Sequence, residues 1–255
     1  MAKLNHRIAD LIRTVGGVPQ HLTAAVIVAG GSSVRMGGTV SKQMLPICGI
    51  PVVARTLMAF QASDCISEIV VAAKAEEIPL YDEIRSRYGI GKLRAVVPGG
   101  GTRQESVLLG VEAISEKARY VAISDAARCL ILPEQIDSVC YAAYASDAAI
   151  AACPAVDTVK EVKKKGFLET PDRKNLWLAS TPQVFLANLY RAAAYTARDE
   201  KFVGTDDASL VEHIRHTVMP VDVGHLNFKI TEPDDLILAE AVIRARETGK
   251  ARDGK

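Results

Sequence analysis

The chain has 255 residues, of which 49% are hydrophobic and 24% are charged, and its formal net charge is +1. These proportions are typical of a folded protein with a substantial core, so they exclude disorder for most of the chain and favour one large domain. The near-neutral charge argues against a general nucleic-acid or membrane-surface binder, and no apolar run approaches the roughly 18 residues of a membrane span.

Two features bear on the compartment in which the protein works. The N-terminus lacks the apolar core of a secretory signal peptide. The five cysteines follow no Cys-x-x-Cys spacing, so we expect reduced and mostly buried thiols. The sequence therefore predicts a cytoplasmic protein with no membrane partner and no nucleic-acid partner.

Residues 1–23 form a predicted extension ahead of the main domain, which we expect at residues 24–246. Ile8, Leu11 and Ile12 lie at helical spacing among charged residues. This pattern is typical of a short amphipathic helix. A transit peptide is disfavoured, because the extension is not rich in serine.

A glycine loop with two spaced cations follows the first predicted strand. Ala24 to Ala29 is a short apolar run, as expected of a parallel strand that is buried on both faces. Gly30 and Gly31 let the backbone turn sharply and approach a ligand closely. Arg35 supplies a planar fork and Lys42 a point charge, two kinds of cation that suit phosphate oxygens. The segment therefore predicts a nucleotide-binding loop.

The spacing in this loop excludes two commoner phosphate-binding signatures. A P-loop needs a lysine directly after its second conserved glycine, and a dinucleotide fingerprint needs Gly-x-Gly-x-x-Gly. Residues 30–35 are Gly-Gly-Ser-Ser-Val-Arg and match neither, which also disfavours an NAD-dependent oxidoreductase. For this segment taken alone, an ordinary strand-to-helix turn with surface cations is the alternative.

Apolar runs alternate with segments of helical period along the rest of the main domain. In one such segment Val107, Leu108, Val111 and Ile114 fall on one helical face. Strands that alternate with helices predict an α/β fold, with a Rossmann-like, mostly parallel sheet sandwiched by helices. The further predicted strands are Glu68 to Ala73, Leu93 to Val97, Arg119 to Ile123 and Ala148 to Cys153.

A different pattern occupies residues 157–181. Thr158 to Gly166 is rich in Lys, and with Phe167 to Leu176 it predicts a charged β-hairpin that projects from the domain as an arm. Such a hairpin is unstable alone, so we expect it to pair, most simply with a second copy of the chain. A solvated surface loop is the alternative.

The last predicted helix begins near Thr231 to Asp234, where an N-cap residue precedes a proline in the first turn and an acidic residue stands at the capping-box spacing. Residues 247–255 are small, polar and mixed in charge, so they form a predicted polar tail.

Several motifs occur in an order that resembles one enzyme family. The glycine loop is the first, and Thr205 to Leu210 belongs to the same pattern. Over about Ala24 to Ile243 the chain resembles the family of 2-C-methyl-D-erythritol 4-phosphate cytidylyltransferases, and the ordered set is more specific than any single motif. The other motifs are Gly99 to Ser106, Ser124 to Arg128, Asp157 to Lys160, Leu176 to Phe185 and Asn227 to Thr231.

The resemblance implies a fold of the nucleotide-diphospho-sugar transferase type. It also implies transfer of a cytidylyl group from CTP to the phosphate of methylerythritol phosphate in the non-mevalonate isoprenoid pathway, with release of pyrophosphate. The attacking oxygen is already anionic, so the enzyme needs alignment and cations, including Mg²⁺, and no general base.

The resemblance also assigns the nucleotide site. Arg35 and Lys42 match residues that steady the triphosphate and the transition state. Gly99 to Ser106 matches the region that selects cytosine. Asp125 matches a Mg²⁺ ligand, a role that suits a hard carboxylate oxygen, although a helix-capping Asp paired with a nearby Arg is the alternative. The implied nucleotide-binding residues are Ala29, Gly30, Gly31, Gly100, Gly101, Ser106 and Arg128.

For the acceptor, the resemblance implies that Arg173 and Lys229 hold the phosphate for attack. Thr158 and Thr181 are their expected neighbours, and Asp157 is expected to bind substrate hydroxyls or orient the arm. Because Arg173 lies on the predicted arm, the family pattern implies a homodimer in which each site borrows Arg173 from the other chain. The predicted catalytic residues are Arg35, Lys42, Arg173 and Lys229.

Two other functions stay open at this point. A ribitol-5-phosphate cytidylyltransferase shares the fold, the CTP site and the arm, and the sequence separates it poorly from the methylerythritol phosphate enzyme. The other function is that of a nucleotide-binding regulator without activity. The joint presence of the predicted catalytic residues and Asp125 argues against the regulator.

Overall fold

The apolar runs of the sequence form the strands of a sheet that lies at the centre of the protein. The computed structural model describes residues 22–31 and 41–253. In that part of the chain the strands are β1 (Thr23–Val28), β2 (Pro46–Ile47), β3 (Ile50–Pro51), β4 (Ile66–Ala73), β5 (Leu93–Pro98), β6 (Tyr120–Asp125), β7 (Ala148–Pro154), β8 (Glu161–Val162), β9 (Leu168–Glu169), β10 (Trp177–Leu186) and β11 (Met219–Asp222).

Helices form from the segments of helical period between the strands. The α-helices are α1 (Val52–Ala62), α2 (Leu80–Arg87), α3 (Arg103–Glu112), α4 (Pro133–Ser146), α5 (Ala187–Asp199), α6 (Asp207–His213) and α7 (Pro233–Asp253). Short 3₁₀ turns lie at Lys42–Met44, Ala75–Glu77, Lys164–Gly166 and Arg173–Asn175.

Seven of these strands form one sheet in the order β11-β7-β10-β6-β1-β4-β5. Neighbouring strands are parallel except at β10, which runs antiparallel to both β6 and β7. The predicted α/β class and mostly parallel sheet are confirmed. Strand β1 lies between β4 and β6, so the chain turns to opposite sides of β1, and open α/β sheets bind ligands beyond the carboxyl ends of the strands at such a switch point.

The sheet is covered on both faces, as the wholly apolar β1 predicts. Ala25 and Ile27 pack in one apolar cluster with residues of α1, α2 and α4. Ala24 and Val26 point the other way and pack with residues of α3, α5 and α6. This alternation explains why every residue of the run is apolar, and it fixes β1 rigidly between two helical layers.

Helix α3 approaches β1 very closely. A Cβ atom at Gly110 would overlap Cγ1 of Val26, so the helix packs on the strand only because this position has no side chain. Because α3 begins at Arg103, this packing also fixes the glycine-rich loop that precedes the helix.

The arm is shorter than predicted. Strands β8 and β9 form a hairpin of two-residue strands outside the main sheet, as the charged pattern indicates. From Trp177 onward, however, the chain pairs with β7 in the main sheet, so the predicted arm boundary at residue 181 falls inside β10. The first three residues of β10 are exposed, and the residues from Ser180 to Phe185 are buried. We use "arm" below for residues 157–176.

Helix α7 closes the described chain. Its start is held by Asp235, whose Oδ2 accepts hydrogen bonds from the backbone N–H of Thr231 at 2.6 Å and of Glu232 at 2.8 Å. The sequence predicts this cap one residue earlier, at Asp234. The helix continues to Asp253, through most of the predicted polar tail. No helix in the described part of the chain has an apolar stretch long enough to cross a bilayer. The predicted N-terminal helix lies outside the described residues.

Candidate active site

A cleft opens at the carboxyl ends of β1, β5 and β6. Val28, the last residue of β1, lies opposite Asp125, the last residue of β6, so the parallel register brings the glycine loop and this carboxylate to one edge. The cavity there has a volume of about 420 Å³. Its lining includes Ala29, Gly30, Gly31, Lys42, Gln43, Gly100, Gly101, Thr102, Arg103, Ser106, Asp125 and Lys229.

The first glycine loop is open to this cavity. Among the described residues, a Cβ atom at Gly31 would meet nothing within 4 Å, and one at Gly30 would meet only Ser106 Oγ at 3.8 Å. Packing against the described part of the chain therefore does not require glycine at either position. The side-chain amide of Gln43, which is buried, donates to the carbonyl of Ala29 and holds the end of the strand in place. A ligand backbone or phosphate can approach the loop closely.

The second glycine loop is built around Ser106. Its Oγ accepts from the backbone N–H of Gly100 at 3.0 Å and donates to the carbonyl of Thr102 at 2.8 Å. A Cβ atom at Gly99 would lie 2.9 Å from the same oxygen. Thr102 and Glu105 form a capping box that starts α3. The loop is therefore preorganised, because the N–H groups of Gly100, Gly101 and Thr102 donate to the side chains of Ser106 and Glu105.

Asp125 lies at the centre of a cluster of cations. Its Oδ2 is 3.0 Å from Lys229 Nζ and 3.6 Å from Arg128 Nε, and its Oδ1 is 3.3 Å from Arg103 Nε. Burial raises the pKa of the Asp125 carboxyl, but Lys229 and the two arginines outweigh burial and hold it below its usual range. Asp125 is therefore ionised at neutral pH.

Arg103 joins this cluster to the protein core. Its Nη2 is 2.7 Å from Asp207 Oδ2, and Tyr190 donates a hydrogen bond of 2.8 Å to Asp207 Oδ1. Burial lowers the pKa of the guanidinium, but Asp207 and Asp125 raise it overall, so Arg103 stays charged. Asp207 is 1% exposed, so the carboxylate of this ion pair lies in the core.

A second cavity of about 300 Å³ adjoins the first and shares Arg103, Asp125 and Lys229 with it. Thr181 lines the second cavity, donates to or accepts from Ser124 Oγ at 2.9 Å, and accepts from the N–H of Asp125 at 3.0 Å. Apart from Ala179, the rest of its lining is polar as well. It comprises Arg128, Ala179, Ser180, Gln183, Thr205 and Asp206.

The loop that carries Lys229 is hydrogen-bonded to Thr181 of β10 and to the segment that follows β6. Asn227 donates to the carbonyl of Thr181 at 2.8 Å, and its own carbonyl accepts from Arg128 Nη1 at 2.7 Å. The N–H of Ile230 donates to the carbonyl of Ala127 at 2.8 Å. Lys229 is thus held between the two cavities by its backbone, which leaves its long side chain to respond to charge.

The structure brings most predicted site residues together. All the predicted nucleotide-binding residues except Arg128, along with Lys42, Asp125 and Lys229, line the first cavity, while Arg128 and Thr181 line the second. Asp157, Thr158 and Arg173 lie exposed on the arm, outside the linings of both cavities, and Arg173 donates to the carbonyl of Val156. Arg35 lies outside the described residues.

Sequence reasoning singled out neither Arg103 nor Asp207. A signal for Arg103 is its charge at the first position of α3, where a cation opposes the helix dipole and therefore needs another reason to be there. Asp206 already caps α6 by accepting from the N–H of Ser209, so the carboxylate of Asp207 beside it has no capping role. Gln43 and Asn227, which hold the two loops, carry no such signal.

The side chains of the first cavity fit a divalent cation that takes most of its ligands from a substrate or from water. Among the described residues no group of three His, Cys, Asp or Glu side chains is arranged to hold a metal. Asp125 is the one carboxylate in the lining of the first cavity. Mg²⁺ commonly binds through one or two carboxylates together with substrate phosphates, so Asp125 fits Mg²⁺ that arrives with a polyphosphate.

Comparison with known proteins agrees with this site. The family model for 2-C-methyl-D-erythritol 4-phosphate cytidylyltransferase matches residues 23–245. Proteins of that name from Pelotomaculum thermopropionicum and Halalkalibacterium halodurans are 42% and 38% identical, over 91% and 88% of this chain and 98% of each relative. The solved structure of 2-C-methyl-D-erythritol 4-phosphate cytidylyltransferase from Thermus thermophilus matches with a TM-score of 0.72 and 31% sequence identity. The match covers 88% of this chain and 99% of the Thermus thermophilus chain.

A second solved structure, the 4-diphosphocytidyl-2C-methyl-D-erythritol synthase of Anaerococcus prevotii, has a TM-score of 0.80 and 26% identity, with 88% of this chain and 97% of that one covered. The matches extend over nearly the full length of these relatives, and the family-model match spans both glycine loops, Asp125 and Lys229. From the family model and the identities, this chain belongs to the 2-C-methyl-D-erythritol 4-phosphate cytidylyltransferase family.

Proposed function

We propose that this protein transfers the cytidylyl group of CTP to the phosphate of 2-C-methyl-D-erythritol 4-phosphate in isoprenoid biosynthesis, forming 4-diphosphocytidyl-2-C-methyl-D-erythritol and releasing pyrophosphate. The observation that carries the proposal is the pair of adjoining cavities with Arg103, Asp125 and Lys229 in their common wall. One cavity offers glycine backbone to a nucleotide. The other offers cations, hydroxyls and amides to a polyol phosphate.

In the proposed reaction, an oxygen of the acceptor phosphate attacks the α-phosphorus of CTP. The bond from that phosphorus to the bridging oxygen of the β-phosphate breaks, and the electron pair leaves with pyrophosphate. The attacking oxygen is anionic, so no proton has to be removed. The described residues that line the two cavities include no histidine, which suits a reaction without a general base.

The main obstacle to this reaction is repulsion between two anions, so catalysis depends on alignment and on fixed positive charge. Lys42, Arg103 and Lys229 line the first cavity, and the predicted role of Arg35 adds a further cation. We assign Lys42 and Arg35 to the triphosphate and the transition state, and Lys229 to the acceptor phosphate. Ser106 and the glycine loops are assigned to the cytidine.

We further propose that Mg²⁺ accompanies CTP and that Asp125 holds it. When bound there, the ion would neutralise phosphate charge as a Lewis acid. Lys229, now 3.0 Å from the Asp125 carboxylate, would then be available to the acceptor phosphate.

The acceptor site is proposed to be completed by a second chain. Arg173, Asp157 and Thr158 lie on the arm and do not line either cavity of their own chain. The arm exposes large apolar side chains, with Phe167 71% exposed and Leu168 64% exposed. Apolar residues on a hairpin this small favour burial against a partner. A homodimer that exchanges arms would supply Arg173 to the other chain's site.

The five cysteines are free thiols, four of them buried. This supports the proposal that the protein works in a reducing compartment, the cytoplasm.

The test is pyrophosphate release by the purified protein with CTP and Mg²⁺. Three reactions are compared, with 2-C-methyl-D-erythritol 4-phosphate, with ribitol 5-phosphate and with no acceptor. Release only with the first supports the proposal, and release only with ribitol 5-phosphate would assign the protein to the other acceptor. The variant Lys42→Ala, purified in the same way, shows whether any release comes from a contaminant.

A further inference from the structure

We infer that Arg103 is a positioning residue for Asp125, and that it is itself anchored in the core by Asp207 and Tyr190. The inference rests on the proposed function, because it assigns a role in that reaction. It concerns how the one carboxylate in the lining of the first cavity is held in a single orientation.

The two oxygens of Asp125 have different partners. Lys229 and Arg128 both approach Oδ2, at 3.0 Å and 3.6 Å. Among the described residues, Arg103 is the one side chain that donates to Oδ1, through Nε at 3.3 Å. Without Arg103, both remaining cations would draw the same oxygen, and the carboxylate would be free to rotate about its last bond.

Arg103 is held in turn from the core side. The Nη2 group donates to Asp207 Oδ2 at 2.7 Å, and the other oxygen of Asp207 accepts from the Tyr190 hydroxyl at 2.8 Å. The Tyr190 ring stacks on Phe185 of β10 with centroids 5.4 Å apart. Asp207 and Tyr190 are both almost completely buried, so the two side chains that hold Arg103 from the core have little freedom to move.

The contacts use the shape of the arginine side chain as well as its charge. Nε and Nη2 lie on the same edge of the planar guanidinium and reach two carboxylates that come from β6 and α6. A lysine at this position would be a single point charge and could not hold both carboxylates in fixed directions. Neither Asp207 nor Tyr190 lines the two cavities, so any effect of changing them on the reaction must pass through Arg103.

The experiment measures kcat and KM for CTP in Arg103→Lys, Asp207→Asn and Tyr190→Phe. Because a small displacement of a reacting group costs up to about a hundredfold in rate, we expect kcat to fall by roughly that factor in Arg103→Lys. We expect a fall of about tenfold in Asp207→Asn and a smaller one in Tyr190→Phe. KM for CTP should stay within about twofold throughout, since the two glycine loops, Lys42 and Ser106, which also line the nucleotide cavity, are unchanged in all three variants.

The control is Arg94→Lys. Arg94 Nε is 2.6 Å from Glu68 Oε2, an ion pair near the amino ends of β4 and β5 and away from the cavities. This variant should lose stability without losing kcat. Rates are expressed per folded molecule, using circular dichroism and thermal melting of each sample.

A double-mutant cycle separates positioning from general damage. If Asp207 acts through Arg103, the variant Arg103→Lys/Asp207→Asn should be little slower than Arg103→Lys alone. Falls in kcat that simply multiply would overturn the inference, as would a rise in KM for CTP at unchanged kcat. Tyr190→Phe keeps the buried ring and is the variant to use if Asp207→Asn does not fold.

The wild-type protein is assayed first. No pyrophosphate release from wild type would overturn the proposed function, and the inference with it. Active wild type with wild-type kcat in all three variants would overturn the inference alone.

Discussion

The cleft and the arm, both assigned to the same reaction, differ in how their residues are held. In the cleft, Asp125 is 7% exposed and is surrounded by three cations, of which Arg103 and Arg128 also contact the buried residues Asp207 and Asn227. On the arm, Phe167 and Leu168 are mostly exposed, and the hairpin has only two residues in each strand. The core of the chain is sufficient to organise the cleft. In the proposed dimer, the arm would gain further contacts from the partner chain.

The largest expected effect comes from removing a cation of the cleft. Lys42→Ala should lower kcat by about a thousandfold with little change in KM for CTP, because fixed charge stabilises the transition state more than the bound substrate. Steady-state kinetics of pyrophosphate release measures both constants. A similar loss in affinity with turnover intact would contradict this role for Lys42.

On the arm, Arg173→Ala should raise KM for the acceptor by about a hundredfold, because the lost contact is a charge-assisted one to phosphate. Mixing this variant with Lys42→Ala tests whether sites are shared. After exchange of subunits, half of the dimers are mixed and each has one complete site, so about a quarter of wild-type activity should return. No recovery after demonstrated subunit exchange would place Arg173 in its own chain's site or outside any site.

The difference between the two regions also explains what could be predicted from the sequence. The first loop and β1 were predictable because the apolar run, the glycines and the cations are all local. Asp125 was predictable because it follows a buried strand at the carboxyl edge of the sheet. The pairing of Arg103 with Asp207 was not, since it joins residues 104 positions apart and depends on how α3 and α6 pack.

The arm boundary failed for a related reason. Trp177 to Thr181 is polar in part and follows a charged segment, so the local pattern favours continuing the hairpin. In the structure Trp177, Leu178 and Ala179 pair with β7, where main-chain hydrogen bonds to an existing sheet are available. Pairing with a neighbouring strand determines whether such a segment forms a strand, and the local sequence carries no information about that pairing.

A smaller effect is expected at the arm's apolar surface. Phe167→Ser removes an aromatic side chain that the proposed dimer would bury, so the dissociation constant of the dimer should rise by about 30-fold to 100-fold. Sedimentation velocity over a range of concentrations measures it. Val203→Ser is the matched control, because Val203 is exposed and lies outside the arm. An unchanged dissociation constant in Phe167→Ser would show that dimerisation, if present, uses another surface.

The smallest expected effect concerns pH and the stability of the cleft. The pKa of Asp125 is lowered in the folded protein, because burial, which would raise it, is outweighed by Lys229 and the arginines. The ionised carboxylate therefore stabilises the fold above the unfolded pKa of about 3.9, and this stabilisation is lost as the pH falls through the lower folded pKa. Asp125→Asn should reduce the free energy of unfolding by about 1 to 3 kcal/mol at pH 7.

The gap between wild type and Asp125→Asn should stay constant from pH 7 to about pH 5 and close below about pH 4, because only the wild-type group titrates there. Urea unfolding at a series of pH values measures it. A gap that narrows already between pH 7 and pH 6 would mean that a different group controls the cluster. The cations around Asp125 belong to its own chain, so this stabilisation should not depend on a second chain, in contrast to the proposed burial of Phe167.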